Sequence, residues 1–296
     1  MRLFVIGNGF DLNLGLNTEY RDFYHYLKNN YPDFLLEMGE ILWAENETDN
    51  LWCNFEKELA QVNFIPFTSE EGYKSDISIA ELHNLTAEEI ESWKKTLSNC
   101  FKEWLFSSYK IPTHRNYNFS NDDYFLNFNY TPTLEDSFQI NRHHIMYLHG
   151  NIHDSGRDLI FGHGLDHDLM SLCRDLNLVR NGELVCSLSQ LNDLLAVDLL
   201  LSSLRKPVDE IKTEMNQWLD TLPEITEIIV LGHSLGDVDM PYFVLLRSKV
   251  NRSTRWTFSY RTDSRKSRIY EKISYLHIHN FRIGKIDELI GQCSAE

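Results

Sequence analysis

The chain begins with the run Leu3-Phe4-Val5-Ile6-Gly7-Asn8-Gly9-Phe10-Asp11, reached after only two residues. Four consecutive apolar residues closed by a glycine turn are too few for a helix and do not alternate. That is the pattern of a strand buried on both faces, as in a parallel sheet. The two glycines allow a tight turn and a close approach of backbone N–H groups to an anion, and Asp11 has the chemistry to hold a ribose hydroxyl or an amide. The third glycine of a dinucleotide fingerprint is replaced by Leu12, so a plain tight turn accounts for the same letters.

Working outward from that strand, Tyr124 to Phe128, Ile145 to Leu148, Leu159 to Phe161, Glu227 to Leu231, Trp256 to Tyr260 and Leu276 to His279 read as further strands. Helical signals separate them. Thr18 caps a segment from Glu19 to Asn30 that Pro32 stops, and two further helical stretches follow at about 34–44 and 51–62. Thr86-Ala-Glu-Glu89 is a capping box, after which Ile90, Trp93, Leu97, Phe101 and Trp104 recur at helical spacing on one apolar face. Residues 187–204 and 208–219 form a second helical block. Strands separated by helices predict a Rossmann-like α/β fold, a parallel sheet flanked by helices. The helical blocks at about 33–110 and 170–222 exceed what one crossover requires. They are read as insertions forming a helical cap on a single domain spanning 1–296.

Composition narrows the function classes. With 42% apolar and 24% charged residues in 296, the chain has a core's worth of hydrocarbon and none of the bias of disorder or collagen. Its densest apolar stretch, Leu194 to Leu204, is interrupted by Asp198, so no bilayer span is expected. The opening residues lack the long apolar core of a signal peptide, and a cytoplasmic location is expected. Five cysteines without a Cys-x-x-Cys pair read as reduced, packed thiols rather than zinc or redox ligands. A net charge of −16 disfavours coating a nucleic-acid duplex. The exception is Lys249 to Lys272, where eight Lys or Arg face two acids. That strip reads either as a solvated strand edge and helix face or as a landing strip for nucleic acid or another phosphate-bearing ligand.

Ligands of open α/β sheets bind outside the carboxyl ends of strands, and four such ends carry unusual residues. Besides the glycine turn there is Asn127-Phe128-Asn129-Tyr130-Thr131, where asparagines serve either as turn formers or as polar site residues. In Leu148-His149-Gly150-Asn151, His149 is either a satisfied half-buried histidine or a general base. Six of the twelve histidines (143, 144, 149, 153, 163 and 167) fall within residues 143–167, yet no helical His-Glu-x-x-His accompanies them, and no metal is expected. Finally, Gly232-His233-Ser234-Leu235-Gly236 matches the nucleophile elbow of serine hydrolases, with Asp263 and His277 or His279 downstream in triad order. Against that reading, an elbow runs straight into its helix. Here Asp239 and Pro241 place the helix start several residues late.

Gly7-Asn8-Gly9-Phe10-Asp11-Leu12 and Gly15-Leu16-Asn17-Thr18-Glu19-Tyr20-Arg21-Asp22-Phe23 resemble the opening of the bacteriophage abortive-infection AbiH family. So do Asn127 to Thr131, Leu148-His149-Gly150, Phe161-Gly162-His163 and the run from Gly232 to Asp239. The order of these motifs is similar to that of sirtuin-like NAD-consuming domains of antiphage systems. Asn127, Thr131, Asn8 and Phe10 depart from the usual residues of that group. The resemblance implies an antiphage effector that binds a nucleotide and hydrolyses NAD, as substrate, or a related nucleotide. In it Gly7, Asn8, Gly9 and Asp11 line the nucleotide. Asn129 meets water or ribose, His149 is the catalytic imidazole, and Gly232, Ser234 and Asp239 bind or support. Such an activity must be held off in a healthy cell, which implies a regulatory partner or a homo-oligomer. The competing readings are a nuclease or other phosphodiester hydrolase, a non-catalytic nucleotide-sensing or partner-binding module, and a serine hydrolase using Ser234.

Overall fold

The computed structural model describes residues 1–42, 55–60, 79–112, 117, 119–164, 179–180, 183–184 and 188–292. They sort into two compact units: Met1–Glu19 with Trp104–Ile160 and Pro207–Glu296, and Tyr20–Glu103 with Phe161–Lys206.

The first unit is built on a six-stranded sheet. Its strands are β1 (Arg2–Ile6), β2 (Tyr124–Asn127), β3 (Ile145–Tyr147), β6 (Glu227–Leu231), β7 (Arg255–Tyr260) and β8 (Phe281–Lys285). They lie side by side as β3-β2-β1-β6-β7-β8, every pair parallel. In the order the chain visits them this is third, second, first, fourth, fifth, sixth. That is the doubly wound Rossmann order, whose direction of travel reverses between β1 and β6. In register, Ile6 faces Asn127 on one side and Leu231 on the other, so three strands end level at the reversal.

Helices cover both faces, which is why the strands read as unbroken apolar runs. On one face Leu3, Val5, Leu126, Ile228 and Val230 meet α8 (Val208–Thr221), α9 (Met240–Lys249) and α10 (Asp263–Tyr275). The apolar residues of α8, Ile211, Met215 and Leu219, recur every four positions, so one stripe of the helix is fully inside. On the other face Phe4, Ile6, Phe125, Ile229 and Leu231 meet Phe10 of α1 (Asn8–Asn13), Leu134 of α6 (Thr133–Phe138) and Ile286 of α11 (Ile286–Gln292).

The second unit holds α2 (Tyr20–Asn30), α3 (Pro32–Leu42), α4 (Phe55–Glu58), α5 (Ile79–Ser108) as far as Glu103, the hairpin β4 (Val179–Arg180) with β5 (Glu183–Leu184), and α7 (Leu188–Ser203). Phe101 is its hub, edge-on to Phe23 at 5.3 Å and 4.7 Å from Phe161. In the same unit the buried Lys206 ammonium pairs with Glu56 at 2.8 Å.

Four local expectations are corrected. Leu276 to His279 is not a strand but the end of α10. Ile278 N–H bonds Ile273 O, His277 N–H bonds Ser274 O, and His277 takes φ 51°, the Schellman stop that buries Leu276 and Ile278 while turning His277 outward. The last strand follows at Phe281–Lys285. Leu159 to Phe161 is loop; the strand-like contact comes later, where His163 N–H bonds Leu204 O and Lys206 N–H bonds His163 O. The capping box at Thr86 lies inside α5, which begins at Ile79. The helical stretch expected at 51–62 is limited, among the described residues, to Phe55–Glu58.

Candidate functional site

The turn after β1 is a single residue long. Gly7 caps α1, which starts at Asn8, and the chain then closes with Gly15 at φ 87° and bonds from Gly15 and Leu16 back to Leu12 and Asp11. The glycines have a packing reason. Gly7 N–H bonds Leu231 O at 2.9 Å and Gly9 N–H bonds Gly232 O at 2.8 Å. A Cβ on Gly9 would come within 2.7 Å of Gly232 O, and one on Gly232, which sits at φ 67°, within 2.1 Å of Phe10 N. The turns after β1 and β6 are therefore laid backbone on backbone, and the Gly9 N–H is given to the neighbouring turn. Asn8 points elsewhere: its amide donates to Thr18 O and accepts from the Thr18 hydroxyl, tying the start of α1 to the approach to α2.

From the end of β2 the chain bends through Asn129 to Thr131, and its side chains part to two sides. Asn127, Asn129 and Thr131 go to the α1 side. Asn127 Oδ1 accepts the Asn129 N–H at 3.0 Å, and Asn129 Nδ2 donates to Gly7 O at 3.2 Å. The Thr131 hydroxyl donates to Asp11 Oδ2 at 2.5 Å and accepts from Thr133 at 3.0 Å. Asp11 is 1% exposed. Burial pushes its carboxyl up to about 6, against the opposing pull of Thr131, Thr133 and Asn129. Oδ1 is enclosed and makes no hydrogen bond of normal geometry among the described residues.

Phe128 and Tyr130 go to the other side, where the imidazoles are. His149, 3% exposed, lies edge-on to Phe128 and Tyr242 and 6.1 Å from the Tyr130 ring. Its Nδ1 faces the Phe128 carbonyl at 3.4 Å; a carbonyl only accepts, so the ring proton belongs on Nδ1 and the basic lone pair on Nε2. His233 packs on the same Phe128 ring at 4.3 Å. Its Nδ1 accepts the Leu235 N–H at 3.0 Å, and Nε2 faces Asp239 Oδ2 at 3.4 Å. Asp239 is thus directed at a histidine of its own loop.

The predicted residues accordingly fall into two adjoining clusters on the two sides of one segment. Gly7, Gly9, Gly232, Asp11 and Asn129 belong to the first; His149 and Asp239 belong to the second. Thr133, His233 and Tyr242 join them although sequence reasoning passed over all three. Thr133, the first residue of α6, reaches the cluster through the Thr131 hydroxyl, and His233 is hidden by the serine motif around it. Ser234 is exposed. Its sequence partners are dispersed: Asp263 is exposed at the start of α10, and His277 and His279 lie between α10 and β8, at the sheet edge opposite Ser234.

The histidine-rich stretch disperses as well. His144 stacks on Tyr124, His153 lies beside Phe106 and Tyr109, and His163 bonds Leu201 O; His167 lies outside the described residues. Among the described residues no three His, Cys, Asp or Glu side chains gather where they could hold a metal. Cys100 is a buried free thiol, and the other four cysteines lie outside the described residues. No helix among the described residues is long and apolar enough to cross a membrane. Five of the eight cations in the basic strip are paired with acids: Lys249 with Asp220, Arg255 with Glu227, Arg261 with Glu19, and both Arg268 and Lys272 with Asp237.

A parallel sheet in Rossmann order, flanked by helices and carrying buried polar side chains beyond β1, β2 and β3, defines a doubly wound α/β protein with a strand-end polar cluster. Within that class, the family described as bacteriophage abortive infection AbiH matches residues 3–260, and the chain belongs to that family. No curated protein matches it.

Proposed function

We propose that this abortive-infection protein binds a nucleotide at the carboxyl edge of β1, β2, β3 and β6 and hydrolyses NAD or a related nucleotide there. One observation carries the reading: at the point where the strand order reverses, a carboxyl that burial holds near 6 shares a hydrogen-bonded cluster with the amide of Asn129. Perturbed acids gather at functional sites, and the reversal point is where doubly wound sheets take their ligands.

Breaking the bond between ribose and nicotinamide builds positive charge on the sugar. It calls for orientation, a polar group near the anomeric carbon, and a base for the water that replaces the leaving group. Asn129 is suited to hold the sugar or the water and His149 Nε2 to take the proton. Because Gly7, Gly9 and Gly232 are engaged with one another and the Asn8 amide with Thr18, orientation of the phosphates falls to groups at the rim such as the exposed Ser234. Asn129 and His149 are only 5% and 3% exposed, so the reading requires the loops over them to part as ligand enters. A regulator or a second copy of the chain acts on that opening.

Titration calorimetry with NAD tests the binding step. Wild-type protein is expected to bind, and Asn129→Ala to bind at least tenfold more weakly. No heat with NAD, ADP-ribose or ATP ends the nucleotide reading. Cleavage of RNA or DNA that EDTA abolishes moves the protein to the phosphodiester hydrolases.

A further inference from the structure

Ser234 is exposed between two buried neighbours, His233 and Leu235. A turn closed by a side chain puts it there. The Leu235 N–H donates to His233 Nδ1 at 3.0 Å, two residues back, and Ser234 is the apex of the ring so formed. Asparagine and aspartate close turns of this kind with a side-chain oxygen, and here an imidazole nitrogen takes that part. Leu235 stands at φ 53°, a left-handed conformation that an L residue adopts only at a cost, and its side chain goes fully into the core.

Both ends of the turn are anchored. Gly232 N–H donates to Ser259 Oγ at 2.7 Å, and Gly232 O accepts the Gly9 N–H at 2.8 Å. The His233 ring is packed between Phe128 at 4.3 Å and Phe243 at 5.0 Å. A backbone N–H only donates, so Nδ1 holds its lone pair towards Leu235 and the ring proton sits on Nε2, which faces Asp239 Oδ2 at 3.4 Å. That is the opposite tautomer to His149. With both nitrogens committed, the imidazole next to Ser234 in the chain is not its base. The Ser234 Oγ lies over Gly236, 3.7 Å from where a Cβ on that glycine would stand.

We propose that His233 is a positioning residue for Ser234. In its Nε2–H form it ties Leu235 inward, holds the turn after β6 in one shape, and so presents the Ser234 hydroxyl as a donor to a phosphate oxygen of the bound nucleotide. Asp239 steadies the proton-bearing end of the ring. The phosphate contact rests on the nucleotide reading above, whereas the turn and its tautomer are properties of the protein alone.

Two measurements on the full-length chain test this. In ¹⁵N-labelled wild-type protein an N–H···N hydrogen bond carries a scalar coupling between its two nitrogens, and NMR is expected to show one from the Leu235 amide to His233 Nδ1. Absence of that coupling, or long-range spectra that put the His233 ring proton on Nδ1, overturns the proposal. Calorimetry with ADP-ribose then compares variants. His233→Asn keeps an acceptor where Nδ1 stands and is expected to bind within about threefold of wild type. His233→Gln reaches towards Asp239 but has no acceptor at that point, and is expected to bind about tenfold more weakly. In a Ser234→Ala background the same change to Gln is expected to cost nothing further, because the group it positions is already gone. Equal losses in the Asn and Gln variants, or losses that add to that of Ser234→Ala, overturn the proposal. Should the variants fail to fold, the wild-type coupling decides. A protein that shows the coupling yet binds no nucleotide sinks the proposed activity and leaves the turn intact.

Discussion

Replacing Gly232 by alanine tests whether the turns after β1 and β6 are locked together by contact. At φ 67° an L residue meets its own carbonyl, which costs about 1 to 2 kcal/mol. Its Cβ would also stand 2.1 Å from Phe10 N and 2.4 Å from Gly9 C, both backbone atoms that cannot swing away. Overpacking of that kind costs a further ~1 to 3 kcal/mol. The expected loss is about 3 kcal/mol, equivalent to a drop of roughly 6 to 12 °C in the melting temperature of the sheet unit. Two other glycines separate the causes. Gly15, at φ 87° with nothing within 4 Å, carries the conformational part alone, so Gly15→Ala should lose about 1 kcal/mol. Gly236, with an ordinary φ of −58° and its nearest neighbour 3.7 Å away, should lose less than ~0.5 kcal/mol. Urea unfolding followed by tryptophan fluorescence ranks the three. A Gly232→Ala protein as stable as Gly236→Ala would refute the packing, and would return these glycines to the role of an open anion cradle.

The other predictions concern charge and chemistry. For Asp11 the folded value near 6 lies above the ordinary 3.8, so the native state holds the extra proton and stability falls as pH rises through that window, by roughly 3 kcal/mol in all. Asp11→Asn should therefore be more stable than wild type at pH 7.5 and no more stable at pH 4, as measured by urea unfolding at both values; equal midpoints at pH 7.5 contradict it. Lys206→Ala removes the buried ion pair with Glu56 and the packing of the lysine stem and should destabilise the protein by about 3 kcal/mol, while Lys206→Met, which keeps the stem, should lose less in the same unfolding assay. Ser234, exposed and without the triad geometry, should resist a fluorophosphonate probe; stoichiometric labelling would restore the serine hydrolase.

Much of the sheet is legible in the sequence because a doubly covered parallel strand must be apolar throughout. Leu3 to Ile6, Tyr124 to Leu126 and Ile228 to Leu231 all announce themselves this way. Leu276 to His279 misleads for a physical reason. A helix that stops with a left-handed residue buries the positions on either side of it, and the result has the alternation of a strand. The true last strand, Phe281–Lys285, lies at the sheet edge with most of its residues exposed, so it lacks the apolar signature. α1 is hidden by the glycines that open it, residues ordinarily read as loop.

At the site, Asp11, Asn129 and His149 can be picked out as polar residues at strand ends. Which of them meet is not legible. That depends on the bend after β2, which brings Asn129 to Gly7 and Phe128 to His149. The glycine pairs illustrate the same limit. Gly7, Gly9 and Gly232 have the composition of a phosphate loop, whereas their separation in space shows two turns that need glycine to touch each other. The charge strip reads +6 in sequence, but acids from four distant segments neutralise most of it.

The most direct measurement is nicotinamide release from NAD by purified wild-type, Asn129→Ala and His149→Ala proteins, resolved by chromatography, with each variant's fold checked by circular dichroism. Release by the wild type, and a loss of at least a hundredfold in both folded variants, is the predicted result, in keeping with the usual weight of a positioned acid–base or polar group. Cleavage that persists unchanged in Asn129→Ala and His149→Ala would contradict it.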